Sequence, residues 1–237
     1  VKEMSDFLPA KYILVDFLRN NLVDPRARAE AAGTDNFTAT SSQTDFVCTP
    51  ASGNISCITS VTVAGSTQTK WEDYWIDFRT QTVKFYTGIT LNDAVVVNYK
   101  YGTTNWIYWD KPRTDLGATS FPRINILIIG GIGLRLGNYE APVESSIHFQ
   151  IDIWAKESKT NQIFTIDSRA YAGQELIEYI ASKVTEAFED NETELHPALY
   201  SYVNNQISRD LPFDETYQCF HKVIEMSLRG LDLNRVN

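Results

Sequence analysis

Groups that carry covalent chemistry are scarce in this chain. It has 3 cysteines and 3 histidines in 237 residues. Cys48 and Cys57 flank the segment TPASGNIS and could face each other across a hairpin, which would leave Cys219 over. The alternative is three small buried or half-buried thiols in a reducing cytoplasm. No apolar run is long enough to cross a bilayer. No basic leader with an apolar core and cleavage site opens the chain, so secretion is not expected. Basic residues are outnumbered, 21 against 30 acidic ones. The resulting net charge of −9 argues against a phosphate backbone as main partner, which needs a clustered basic face.

Catalytic motifs are missing too. The glycine cluster Ile128-Ile129-Gly130-Gly131-Ile132-Gly133 has no Gly-Lys-Ser/Thr and cannot cradle phosphate as a P-loop does. It does not match the dinucleotide fingerprint, and no Gly-x-Ser-x-Gly elbow occurs. His148, His196 and His221 stand far apart. His148 and His221 lie on strands expected to be neighbours, and with Asp152 or Glu225 they could assemble a site. Without a nucleophile or metal motif, polar strand residues with ordinary hydrogen bonds are the favoured reading. No catalytic, cofactor-binding or metal-ligating residue is singled out, no cofactor is expected, and the expectation is a protein that is not an enzyme. Asn36, Asn54 and Asn191 each begin an Asn-x-Ser/Thr triplet, but nothing in the sequence indicates the compartment glycosylation needs.

What is present is patterned for folding, with an apolar share of 43%. Ile147, Phe149, Ile151, Ile153 and Ala155 alternate with His148, Gln150, Asp152 and Trp154, which predicts a strand with one buried face. Arg123 to Ile129 is denser in apolar residues, as a strand covered on both sides would be. Gly130, Gly131, Gly133 and Gly137 are expected to loosen the backbone between the two.

Around this pair the chain reads in order. Ser5 to Asp24 predicts an amphipathic helix with Tyr12, Ile13, Leu14, Phe17, Leu18 and Leu22 on its stripe, and Ala27 to Ala32 adds a turn. From Thr34 to Gly102 the chain turns Thr/Ser-rich, with short alternating segments (FTATS, TDFVCT, SCITSVTVAG, YWIDF, TVKFYT, AVVVNYKYG) between turn sequences. These predict a small antiparallel sandwich or barrel inserted into the chain. Thr103 to Ser120 reads as a linker whose Trp106, Tyr108 and Trp109 could dock module against core or meet a neighbouring subunit, docking being the favoured reading. IFTI is a short strand, and Ser168 is expected to cap a helix from Arg169 to Glu189 with Leu176, Ile177, Ile180, Val184, Ala187 and Phe188 inward. Its acidic residues Glu175, Glu178, Glu186 and Glu189, continued by Asp190, Glu192 and Glu194, read as a solvated face, since no histidine joins them at ligand spacing. Tyr200 to Gln206 reads as a strand, ISRDLPFDET as a loop, and Tyr217 to Leu228 as a longer strand. The expected class is α+β: a sheet of mostly antiparallel strands with two helices on it, formed by residues 1–34 and 103–237, plus an inserted all-β module at 35–102.

Two resemblances add to this. Phe37-Thr38, Val61-Thr62-Val63-Ala64-Gly65, Tyr74-Trp75-Ile76-Asp77 and Val97-Asn98-Tyr99-Lys100-Tyr101-Gly102 resemble a recurrent small β-domain of tailed-phage virion proteins. Phe149-Gln150-Ile151-Asp152-Ile153-Trp154-Ala155-Lys156 looks like the strand before the long helix in tail terminator (tail completion) proteins of tailed viruses. The Arg209, Asp210, Pro212, Asp214 loop and the run His221 to Glu225 are similar to that family's last loop and strand. The resemblance implies a homohexameric ring in the virion, assembled in the host cytoplasm. Such a ring caps the tail tube, ends its polymerisation and docks to the head connector while DNA passes through without specific binding and no membrane is involved. Partners would be the tail tube protein, the connector or stopper, and a sheath or neck protein reached through the β-module. Other neck rings (stopper or adaptor) are an alternative. So is a carbohydrate or host-surface binder using Trp71, Tyr74, Trp75, Phe78, Phe85 and Tyr86, which would have to form an exposed row.

Overall fold

A computed structural model describes residues 7–109, 117–135, 143–157, 162–191 and 207–232. The chain divides into two compact units, Val1–Val23 with Ala27–Asn105, and Asp24–Arg26 with Trp106–Asn237.

Unit 1 holds helix α1 (Phe7–Asn21) and seven strands: β1 (Ala31–Thr38), β2 (Gln43–Val47), β3 (Asn54–Val63), β4 (Ser66–Thr67), β5 (Tyr74–Asp77), β6 (Thr82–Ile89) and β7 (Ala94–Gly102). They form two antiparallel sheets, ordered β1-β7-β3-β4 and β2-β6-β5, which is the sandwich the alternating segments predict. An edge-to-face contact runs between the sheets, Phe37 of β1 to Phe46 of β2 at 5.5 Å, and a second within the β2-β6-β5 sheet links Phe46 to Phe85 at 5.5 Å.

The expected division has α1 in the core domain, whereas the structure packs it on the sandwich, against β3 and β5. Tyr12 stacks on Trp75 and meets Phe78 edge-on. Arg19 donates to Ser56 O at 2.8 Å. Tyr12 to Leu18 are buried all round, so α1 is a core element of this unit with little free face. The turn expected over Ala27 to Ala32 is absent. Ala31 and Ala32 already pair with Tyr101 and Lys100 as the first rungs of β1, because ladder bonds to β7 outweigh alanine's weak local preference for helix.

In unit 2, β8 (Ile107–Tyr108), β9 (Arg123–Arg135), β10 (Val143–Lys156), β13 (Ile207–Asp214) and β14 (Cys219–Asp232) make one sheet in the order β13-β14-β10-β9-β8. All its pairings are antiparallel except β8 with β9. A separate hairpin of β11 (Ile163–Ile166) and β12 (Arg169–Ala172) leads into α2 (Gly173–Asp190), which packs on β10 and β14. Leu176, Ile177, Ile180, Val184, Ala187 and Phe188 are all buried, as the periodicity predicts.

The α+β class, with mostly antiparallel sheets and two helices, therefore stands; several local expectations do not. The glycines do not end β9: Gly130, Gly131 and Gly133 pair with His148, Ile147 and Ser145. A bulge between His148 and Phe149 leaves Ile129 as the extra residue, and it is 51% exposed. The two-sided burial expected for Arg123 to Ile129 holds only as far as Ile126. Ser168 caps no helix. With Asp167 it takes the left-handed conformation in the β11–β12 turn, as two-residue hairpin loops require. α2 begins instead behind Ala172, which offers no side-chain cap, at Gly173 with φ +52°. A Cβ on Gly173 would come within 2.8 Å of the Phe220 ring. ISRDLPFDET, expected as a loop, supplies β13, and the linker supplies β8. The strand expected at Tyr200 to Gln206 lies outside the described residues, as do His196, Glu192 and Glu194.

Candidate functional site

The chemistry-bearing residues of unit 2 gather on its sheet. β10 and β14 pair from Val143↔Asp232 to Lys156↔Cys219, which sets Trp154 opposite His221 and His148 opposite Ser227. Side chains alternate across a sheet, so His148, Gln150, Asp152 and Trp154 share one face with His221 and Glu225. Lys222 and Ile153, opposite each other, share the α2 face.

On the first face, His221 Nε2 lies 2.7 Å from Asp152 Oδ1, and Gln150 Nε2 donates to the same oxygen at 2.9 Å. The Trp154 ring stacks on the imidazole, with centroids 3.6 Å apart and planes 12° apart. Asp152 is only 1% exposed. Among the described residues, neither its Oδ2 nor Trp154 Nε1 has a hydrogen-bond partner. Further along β9, Arg123 Nε donates to Asn125 Oδ1 at 3.0 Å, and its guanidinium stacks 3.7 Å over Tyr108. The expectation of a single buried face on β10 is thus corrected. Asp152 and Trp154 are covered as well, and polar pairing and stacking on β14 make that burial tolerable.

His148 and His221 do lie on adjacent strands, and Asp152 does meet His221, but His148 instead binds Ser227 Oγ at 2.6 Å through Nδ1. The two histidines stand six residues apart along β10's register and form no joint centre. No group of three or more His, Cys, Asp or Glu residues able to hold a metal occurs among the described residues.

On the opposite face, Lys222 Nζ donates to Glu178 of α2 at 2.9 Å and to Asp210 of β13 at 3.0 Å, tying helix α2, β14 and the edge strand together. Burial works against the Lys222 charge, but the two carboxylate hydrogen bonds outweigh it and raise its pKa above the ordinary lysine value. The hydrogen bond from Lys222 holds Asp210 below the usual aspartate range. Glu186 pairs with Lys183 on α2, while Glu175 and Glu189 face solvent. The acidic run is therefore only partly a free face.

The edge strand β13 is the residue set that periodicity missed. Ile207 to Phe213 are exposed without exception, including Ile207, Leu211 and Phe213, and Arg209 reaches only across to Glu225. The proline in ISRDLPFD hid the strand, because proline is tolerated in sheets only at edges and bulges. In unit 1 the aromatic set does not form an exposed row: Trp71, Tyr74, Phe78 and Phe85 are buried. Cys48, Cys57 and Cys219 are free thiols, all buried.

Comparison with family models, curated proteins and solved structures finds no match to this chain. No helix among the described residues is long and apolar enough to cross a membrane.

Proposed function

We propose that this chain is a structural virion protein of the tail–head junction of a tailed virus. It would form a ring, six copies in the resemblance, that caps the tail tube and docks to the head connector while DNA passes through. The role is one of fitting surfaces together and makes or breaks no bond. The observation that carries the reading is the sheet of unit 2. The Ile151-Asp152-Ile153-Trp154-Ala155 run occupies its central strand, α2 lies on its back, and a terminal strand pair ends in the edge β13, exposed along nearly its whole length. An open edge of this kind suits a subunit that is completed by neighbours. Rings require such head-to-tail contacts, with one patch fitting a different patch on the next copy.

The partners in this reading are other copies of the chain, the tail tube protein, the connector or stopper, and a sheath or neck protein contacted through the β-module. The carbohydrate reading loses its aromatic row to the sandwich core. Negative-stain images of the purified chain test the proposal directly. Six-fold rings are expected, and a uniform field of monomers at high concentration would sink it. Deleting the chain from the virus should give overlong or unjoined tails, whereas normal tails beside filled heads would assign it to the stopper.

A further inference from the structure

We propose that copies of this chain join by sheet continuation, the edge β13 of one copy pairing antiparallel with the open stretch of β9 on the next. The inference rests on the ring reading and names the joint that reading leaves unspecified. Both edges belong to the same sheet. β8 covers β9 only at Ile124 and Asn125, and no other strand among the described residues pairs with that side of β9 from Ile126 onward. At the far edge, nothing among them pairs with the outer side of β13.

Direction selects the occupant. Because β13, β14, β10 and β9 alternate in direction, a second copy set beside the first by rotation about an axis running roughly along the strands presents its β13 antiparallel to the first copy's β9. A pairing that used two β13 edges would need a two-fold axis and would stop at a dimer; β13 on β9 propagates and can close into a ring. Length agrees as well. Pro212 has no N–H to give and a bulge follows Leu211, so β13 offers the five residues Ile207–Leu211. β9 is open from Ile126 to Arg135, with the bulge at Ile129 inside that span, so it has room for all five.

The side chains at both edges are ones that water leaves poorly satisfied. Ile207 is 55% and Leu211 36% exposed on β13, and Ile129 is exposed on β9. Pairing would cover all three and the free backbone groups beside them.

The test is engineered disulfides between copies of the full chain. Ser208→Cys is combined in turn with Leu127→Cys, Ile128→Cys and Ile129→Cys, and Ser208→Cys with Glu189→Cys on α2 serves as control. Mild oxidation should give a ladder of covalent multimers on a non-reducing gel for at least one β9 pair and none for the control. Rings that persist in micrographs with no ladder for any β9 pair would overturn this joint and leave the ring reading standing. A chain that is monomeric at every concentration overturns both. As a second measurement, Ile207→Asp with Leu211→Asp should raise the concentration for half-assembly by about tenfold or more, with unchanged circular dichroism. Assembly at the wild-type concentration would count against the proposal.

Discussion

Asp16 carries a carboxylate into the interior of unit 1, where Oδ1 accepts from Ile58 N at 3.1 Å and Oδ2 lies 3.1 Å from Lys70 Nζ. The Lys70 ammonium also donates to Ile58 O, 2.7 Å away. Removing Asp16 leaves Lys70, whose side chain is only 17% exposed, without its counter-charge and leaves Ile58 N–H without its acceptor. Asp16→Ala should therefore destabilise unit 1 by about 3–5 kcal/mol, measured by urea unfolding; a loss under about 1 kcal/mol would show that water compensates Lys70. The thiols give a second prediction at this scale. Burial, reinforced by Asp35, pushes Cys48 up to about 12, and burial with Asp16 nearby pushes Cys57 to about 11. A thiol far above the working pH carries almost no thiolate. At pH about 8 neither should react with a chromogenic disulfide until the protein is unfolded; rapid labelling of the native chain would contradict the buried geometry.

At the scale of elements, the structure turns on short connections and one buried lysine. Gly53 has φ +67° between β2 and β3, and a Cβ there would fall 2.1 Å from Gly102 O. Gly53→Ala should cost about 1–3 kcal/mol through strain and displacement of the β3–β7 ladder, read from the thermal midpoint. Lys222 links β14 to β13 and α2. The lowered Asp210 pKa adds stability that is present above the ordinary aspartate value and lost as pH falls through the depressed one. The raised Lys222 pKa adds stability that is full below the ordinary lysine value and lost as pH climbs through the elevated one. The link is thus intact across neutral pH. Between neutrality and pH about 3 the wild type should lose more stability than Lys222→Met, which has no Asp210 pair to lose. Parallel acid profiles for the two proteins would show that the link contributes nothing.

At the scale of the whole molecule, the sequence was most legible where one period ran uninterrupted. Five of the six alternating segments became strands of the sandwich, while FTATS contributes only Phe37 and Thr38 to the end of β1, and the apolar stripe of α2 is buried as its spacing predicts. The same reading failed where local signals and tertiary pairing disagree. Glycines that suggest a break continue β9 because β10 supplies their ladder partners, and a proline that suggests a loop sits in the bulge of an edge strand, between the rungs Leu211↔His221 and Asp214↔Cys219, where its missing N–H breaks no pair.

Residue order alone determined the class and the strand and helix periods. These follow from spacing, which a chain carries whether folded or not. Only the tertiary structure decided that α1 belongs to the sandwich, that Trp71 and its aromatic neighbours are core, and that β13 is open to solvent. Each of these depends on which surface a segment meets after the chain has folded back, and that is a property of contacts far apart in sequence.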